Sequence, residues 1–163
     1  LPLDADRLSS LAVIGPLADA PYEQLGTWVF DGDPSLSVTA LDGLRDLLGD
    51  RVEIRHVAAL ETSRSRDTAP FDEAVAAAEK SDAVVLFLGE ESILSGEAHS
   101  RADIGLPGAQ AQPCHLWRER KIPWGAGPWC AAQQTAGLAQ FFQCLAEVWT
   151  GLQTGFNLRP PPW

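Results

Sequence analysis

Ala83-Val-Val-Leu-Phe-Leu88, running into Gly89-Glu90-Glu91, is the stretch whose reading decides the fold. Six consecutive apolar residues, β-branched and aromatic, stand between Asp82 and Gly89. A run this short, apolar on both faces, predicts a buried β-strand rather than a helix. It is also the longest apolar run in the chain, so no segment has the roughly 20 apolar residues that a membrane-spanning helix needs.

Upstream of that strand, Phe71, Ala74, Val75 and Ala78 recur at helical spacing, with Lys80 placed favourably at the helix end. Val52 and Ile54 alternate with charged residues, which predicts a half-buried strand over 52–57. Thr39 is expected to cap a helix whose apolar positions are Leu41, Leu44, Leu47 and Leu48, with Gly49 as its stop. Leu11-Ala-Val-Ile-Gly15, ended by Gly-Pro, predicts a further buried strand and a turn. Strand, helix, strand, helix, strand implies a parallel sheet covered by helices. Right-handed crossovers then bring the loops after Ile14 and Leu88 to one edge, the edge where open α/β sheets bind ligands.

Composition divides the chain of 163 residues in two. Up to Gln112 there are 20 acidic and 8 basic residues, a net of −12, with one Trp and no Cys. From Pro113 onward, 51 residues hold 2 acidic and 4 basic residues, five of the six Trp and all three Cys. Those cysteines, Cys114, Cys130 and Cys144, show neither a paired disulfide pattern nor zinc-site spacing. The overall charge of −10 opposes binding to phosphate backbones or anionic membranes, so no nucleic-acid or membrane partner is expected. The opening residues carry no basic segment followed by an apolar run, and a sequence that starts Leu-Pro-Leu without any Met is expected to be an excerpt.

Chemistry is sought in the loop after the best strand, residues 90–103. Four acids (Glu90, Glu91, Glu97, Asp103), His99 and Arg101 fall within fourteen residues. Two carboxyl groups across a scissile bond, one protonated and one ionised, are what glycoside hydrolysis requires. Composition by itself favours a plain solvated acidic loop. A metal held by Glu90, Glu97, His99 and Asp103 matches no known spacing, so no metal is expected. Nucleotide binding at Ala12-Val-Ile-Gly-Pro-Leu-Ala-Asp19 is disfavoured because only one of three required glycines is present and Pro16 removes a donor. No Gly-x-Ser-x-Gly elbow serves His99 or His115, and His56 lies inside a strand pattern.

Several of these pieces together are distinctive. Leu1-Pro-Leu3, Leu11-Ala-Val-Ile-Gly-Pro-Leu-Ala-Asp19 and Leu25-Gly-Thr-Trp28 come first. Ser37-Val-Thr-Ala-Leu-Asp-Gly-Leu-Arg45 and the 83–90 strand follow, and then Ser95-Gly-Glu-Ala-His-Ser-Arg101 leading to Leu106-Pro-Gly-Ala-Gln110. In order and spacing this resembles the C-terminal α/β domain of glycoside hydrolase family 3, of the bacterial periplasmic β-glucosidase type, over residues 1–112. The resemblance implies a three-layer α/β sandwich with an incomplete, mainly parallel sheet.

It also implies a retaining β-glycosidase without cofactor, hydrolysing terminal β-D-glycosyl residues of a carbohydrate substrate in a periplasmic or secreted parent. There a preceding barrel supplies the nucleophilic Asp. By position in the motif the acid/base is Glu97, with Glu90 the runner-up and more suited to loop support. His99, Arg101 and Asp103 would support the loop, the last two through a charge pair. Lacking the barrel, the chain is expected to be inactive alone. The competing reading is a non-catalytic α/β module binding a small anion or nucleotide at its Gly15 and Gly89 loops.

Residues 113–163 depart from the family, which continues with a helix, an apolar strand and a Gly-Arg-Pro-like turn. They are expected to be an unmatched tail, the product of a shifted reading frame or truncated gene. One helix is expected there near 137–152, where Leu138, Phe141, Phe142, Leu145, Val148 and Leu152 fall at helical spacing.

Overall fold

The computed structural model describes residues 5–103 and 105–112. The expected 137–152 helix, the three cysteines and the domain boundary drawn at residue 112 therefore concern residues outside the described set. Within it, β1 (Ser10–Ile14), β2 (Glu53–Val57) and β3 (Ala83–Leu86) form one parallel sheet in the order β2-β1-β3. Ile14 sits opposite Val57 on one side and Leu86 on the other. The fold is α/β, with three α-helices among the described residues: α1 (Pro21–Leu25), α2 (Ala40–Leu48) and α3 (Phe71–Glu79).

The two faces of β1 sort its side chains as a pleat must. Leu11 and Val13 pack with Leu41, Leu48 and Val52 beneath α2. Ala12 and Ile14 pack with Val57, Phe71, Ala74, Val75 and Ala78 beneath α3. All five residues of β1 are buried, so a β-branched, apolar run is what the central strand demands. α3 buries the four residues its periodicity predicts. α2 starts where expected, Thr39 Oγ1 accepting from the Asp42 amide at 3.1 Å, and stops at Gly49, whose φ of 54° suits glycine. Leu47 is exposed, because its position turns away from the sheet that Leu41 and Leu48 face.

The strand that looked strongest is not the central one. β3 ends at Leu86, and its four residues are only half-buried, since among the described residues it pairs with β1 alone. Its start is clipped to β1 by Asp82. The Oδ2 atom of Asp82 accepts from the amides of Ser9 (2.8 Å) and Ser10 (2.9 Å) and from Ser10 Oγ (3.1 Å). The backbone donors of Ser9 and Ser10 together with the Ser10 hydroxyl favour the ionised form and hold this carboxyl below its ordinary 3.8.

A depressed carboxyl stabilises the fold above its unfolded-state value, and that contribution disappears as pH falls through the folded value. Asp82→Asn should therefore lower the urea midpoint of the full chain near neutral pH, with the gap to wild type closing by about pH 2. Urea titrations at the two pH values check this; an equal gap at both would show that the charge plays no part.

Candidate active-site loop

Parallel strands send the segments 15–20, 58–70 and 87–112 to one edge of the sheet. Gly15 turns away at the end of β1, its amide donating to Val57 O at 3.1 Å. It has φ of 128°, and a Cβ there would lie 2.2 Å from Phe87 O. Only glycine lets β1 pass that close to the end of β3. This glycine serves strand packing, and its N–H is already used.

Gln110 fixes the loop after β3 from below. Its side chain is wholly buried. Oε1 accepts from the Gly89 amide at 2.9 Å, while Nε2 donates to Gly89 O and Ser63 O, both at 2.8 Å, with Pro107 O at 3.2 Å. The segment that carries it lies against the loop after β2: Ala109 N donates to Ser65 O at 2.9 Å. At Gly108, with φ of 62°, a Cβ would come within 2.4 Å of that same carbonyl.

The carboxylates divide by environment. The Glu90 side chain is only 7% exposed and pairs with Arg101, which also donates through Nη2 to Gly105 O at 2.8 Å. The expected Arg101–Asp103 charge pair does not form. Arg101 is drawn to the buried carboxylate, which has no water to solvate it, whereas exposed Asp103 accepts from the Gly105 amide at 2.8 Å. Glu91 accepts from Ser63 Oγ at 2.7 Å and Arg64 Nε at 3.0 Å. Burial pushes its carboxyl up, but those bonds and the charge of Arg64 outweigh burial and leave it below its ordinary value. Ser92 is held through both backbone atoms, its amide donating to the Glu23 carboxylate and its carbonyl accepting from Thr27 Oγ1 at 3.0 Å.

Beyond Ser92 the chain turns outward. Gly96 has φ of 120°, and a Cβ there would sit 2.5 Å from Thr27 Cγ2. Ala98 also takes a positive φ, 64°. His99 closes the turn, its amide donating to Gly96 O at 3.2 Å and Nδ1 lying 3.3 Å from Ser95 O. Glu97 and His99 are both exposed at the tip. A shallow, open depression lies beside this turn, between Glu23 and Gln24 on one side and Glu90 to Ser92 on the other; Glu97 is not among its lining residues. No group of three or more His, Cys, Asp or Glu among the described residues is placed to hold a metal ion. No helix among them is long and apolar enough to cross a membrane.

The sequence model of the glycosyl hydrolase family 3 C-terminal domain matches residues 1–115. The chain belongs to this family. It is 39% identical over 116 residues to a β-xylosidase of Formosa agariphila, a match covering 69% of this chain and 16% of that protein. Against a periplasmic β-glucosidase of Salmonella typhimurium it is 31% identical over 127 residues, covering 66% and 17%. Among solved structures, the β-glucosidase from Listeria innocua in complex with glucose superposes with a TM-score of 0.61 at 32% identity, covering 76% of this chain and 16% of that one. A family 3 exo-β-xylosidase bound to a xylobiose aziridine probe gives 0.65 at 29%, covering 76% and 15%. The chain thus spans about a sixth of the length of these relatives.

Within this family 3 domain, sequence reasoning missed Glu91, Ser63, Arg64, Glu23 and Thr27 as the residues that hold the loop. Gln110 lies inside the Leu106–Gln110 motif, but Gln112 stands two residues on, so the sequence does not mark which of the two amides is buried. Gln110→Ala orphans the Gly89 amide and the Ser63 carbonyl, each worth about 1–3 kcal/mol when left buried without a partner. The expected outcome is a loss of about 3 kcal/mol or more in urea unfolding of the full chain. A loss below about 1 kcal/mol would mean that water replaces the amide.

Proposed function

We propose that, within a complete family 3 polypeptide, this domain supplies Glu97 as the general acid/base of a retaining β-glycosidase acting on terminal β-D-glycosyl residues. The observation that carries this is the contrast between the anchored loop ends and the outward tip. Glu90 is buried and committed to Arg101, and Glu91 to Ser63 and Arg64. Glu97 alone of the three is presented on a tight turn, between a positive-φ Gly96 and a positive-φ Ala98. Glu90 and Arg101 act here as positioning residues, joining the two ends of the loop that bears Glu97, and His99 steadies its turn.

In such a reaction Glu97, protonated, gives its proton to the glycosidic oxygen as a second carboxylate attacks the anomeric carbon from the opposite face. The aglycone leaves as an alcohol and a glycosyl ester remains. Glu97, now ionised, takes a proton from water, which attacks the anomeric carbon and frees the sugar and the second carboxylate. That second carboxylate belongs to the barrel portion of the polypeptide. No cofactor enters any step.

The anion-binding alternative is poorly served by its own glycines. Gly15 N–H donates to Val57 O and Gly89 N–H to Gln110, so neither loop offers those amides to a phosphate.

Joining residues 1–115 in place of the matching segment of the Formosa relative restores a complete polypeptide in which the assignment can be measured. There Glu97→Gln should cut turnover of substrates with poor leaving groups by about 10²–10⁴-fold. It should spare activated aryl glycosides in their first step, with azide speeding the second. If Glu90→Gln produces this pattern and Glu97→Gln does not, the roles are reversed. The chain of 163 residues should not turn over an aryl β-glucoside or β-xyloside, because the second carboxylate must stand about 5 Å from the first. Turnover by purified chain, lost on Glu97→Gln, would contradict this.

A further inference from the structure

The contacts of Gln110 and of the Glu90–Arg101 pair fix the loop after β3 at its two ends. Between those ends, the turn that carries Glu97 meets the segment at the end of α1. Gly26, with φ of 76°, stops α1 and donates its amide to Glu23 O at 3.3 Å, and Glu23 and Thr27 both reach Ser92. The Glu23 carboxylate accepts the Ser92 amide, and Thr27 Oγ1 donates to Ser92 O at 3.0 Å. That same carbonyl accepts the Ser95 amide at 3.1 Å, the bond that closes the 3-10 turn before Gly96.

Thr27 meets the turn a second time, through its methyl group. A Cβ built on Gly96 would lie 2.5 Å from Thr27 Cγ2 and 3.8 Å from Thr27 Cβ. Among the described residues, these two atoms are the nearest that such a Cβ would meet. One side chain therefore touches the turn at two points, the carbonyl where it departs and the backbone one residue before Glu97. Glycine is the most freely rotating residue in a chain, so the methyl group limits how far the Gly96 Cα can swing. Thr27 is itself only half-buried, so filling a core is not its task.

We propose that Thr27 is a positioning residue for Glu97, its hydroxyl and methyl groups together fixing the turn on which that carboxyl stands. This rests on the reading of Glu97 given above. Thr27 touches no reacting atom and acts only through Ser92 and Gly96. An acid/base group must come within hydrogen-bond reach of the glycosidic oxygen, and a displacement of about 1 Å costs up to about 100-fold in rate. Threonine supplies both contacts at once. Serine keeps the hydroxyl without the methyl, and valine keeps the methyl without the hydroxyl, so the two contributions separate by substitution.

In the chimera with the Formosa relative, Thr27→Ala should lower kcat/KM about tenfold on glycosides with poor leaving groups. Activated aryl glycosides, whose first step needs no proton, should stay within about twofold of wild type. In a Glu97→Gln background Thr27→Ala should cost nothing more, because the group it positions is gone. Thr27→Ser and Thr27→Val should each recover part of the loss. Equal losses on both substrate classes, or a loss that multiplies with Glu97→Gln, overturn the proposal, since a purely structural residue behaves that way. Hydrogen exchange in the 163-residue chain needs no turnover. There Thr27→Ala should speed exchange of the Ser95 and His99 amides, which close the turn, about tenfold while β1 amides stay protected. Unchanged exchange at those two amides overturns the proposal even where the chimera does not fold, as does exchange that rises in β1 as well. The two readings fail separately. Glu97→Gln without effect on poor leaving groups sinks the acid/base assignment, whereas its expected loss beside a Thr27→Ala that behaves as wild type sinks the positioning role alone.

Discussion

The side-chain amide of Gln110 is the contact on which the loop edge depends. Strand β3 stops pairing near Phe87, whose amide still donates to Ile14 O at 2.8 Å, yet the chain stays buried through Leu88 and Gly89. The Gly89 peptide groups would be orphaned there, at a cost of about 1–3 kcal/mol each. A primary amide offers one acceptor and two donors in a single plane, so it pairs both Gly89 groups as a neighbouring strand would and still reaches Ser63 O. A carboxylate in this place would lack the donors, and an aliphatic side chain both functions. One residue thereby fastens the end of β3, the loop after β2 and its own segment into one block.

From that block the acidic loop distributes its charges by burial. Glu90 is cut off from water and requires the Arg101 guanidinium. Glu91 is partly buried and gains a hydroxyl and a guanidinium from Ser63 and Arg64, themselves in the loop that Gln110 grips. Asp103 stays in water and caps a turn through the Gly105 amide. Glu97 is left as the carboxyl with neither burial nor a fixed cation. The acid/base role proposed for Glu97 would require its carboxyl to be placed within a fraction of an ångström of a sugar oxygen, which a tip achieves only if its base does not move. The structural carboxylates make the base rigid so that the fourth can be free.

Much of this was legible in the residue pattern, and the exceptions share a cause. Helical and strand periodicity located β1, α2 and α3, because burial on one face leaves a repeating trace. Periodicity reports burial but not pairing. Ala83 to Leu88 therefore reads as a buried strand with no indication of its place in the sheet, and it is β1 that holds the centre with a partner on each side. The Arg101 partner was misjudged for a related reason: Asp103 is near in sequence and Glu90 eleven residues back, and only the loop's closure makes the distant carboxylate the buried one. Gly15 looked like a fragment of a phosphate-binding turn, although what demands glycine there is Phe87 O, seventy-two residues away. Contacts between loops on different strands leave no periodic trace, so Ser63, Arg64 and Gln110 were unreadable as partners.

The distribution of basic residues bears on what the edge can receive. Up to Gln112 there are eight, against twenty acids. Five of the eight, Arg45, Arg51, Arg55, Arg64 and Arg101, are already in ion pairs within the fold. A phosphate approaching the loop edge would meet the carboxylates of Glu23, Glu90 and Glu91 around the depression, with the two nearby guanidiniums spent on two of them. A neutral sugar suffers no such repulsion, and its hydroxyls can donate to carboxylates. The same economy of cations that keeps the loop folded thus disfavours anions at this edge, which is compatible with the uncharged, hydroxyl-rich substrate of the proposed function.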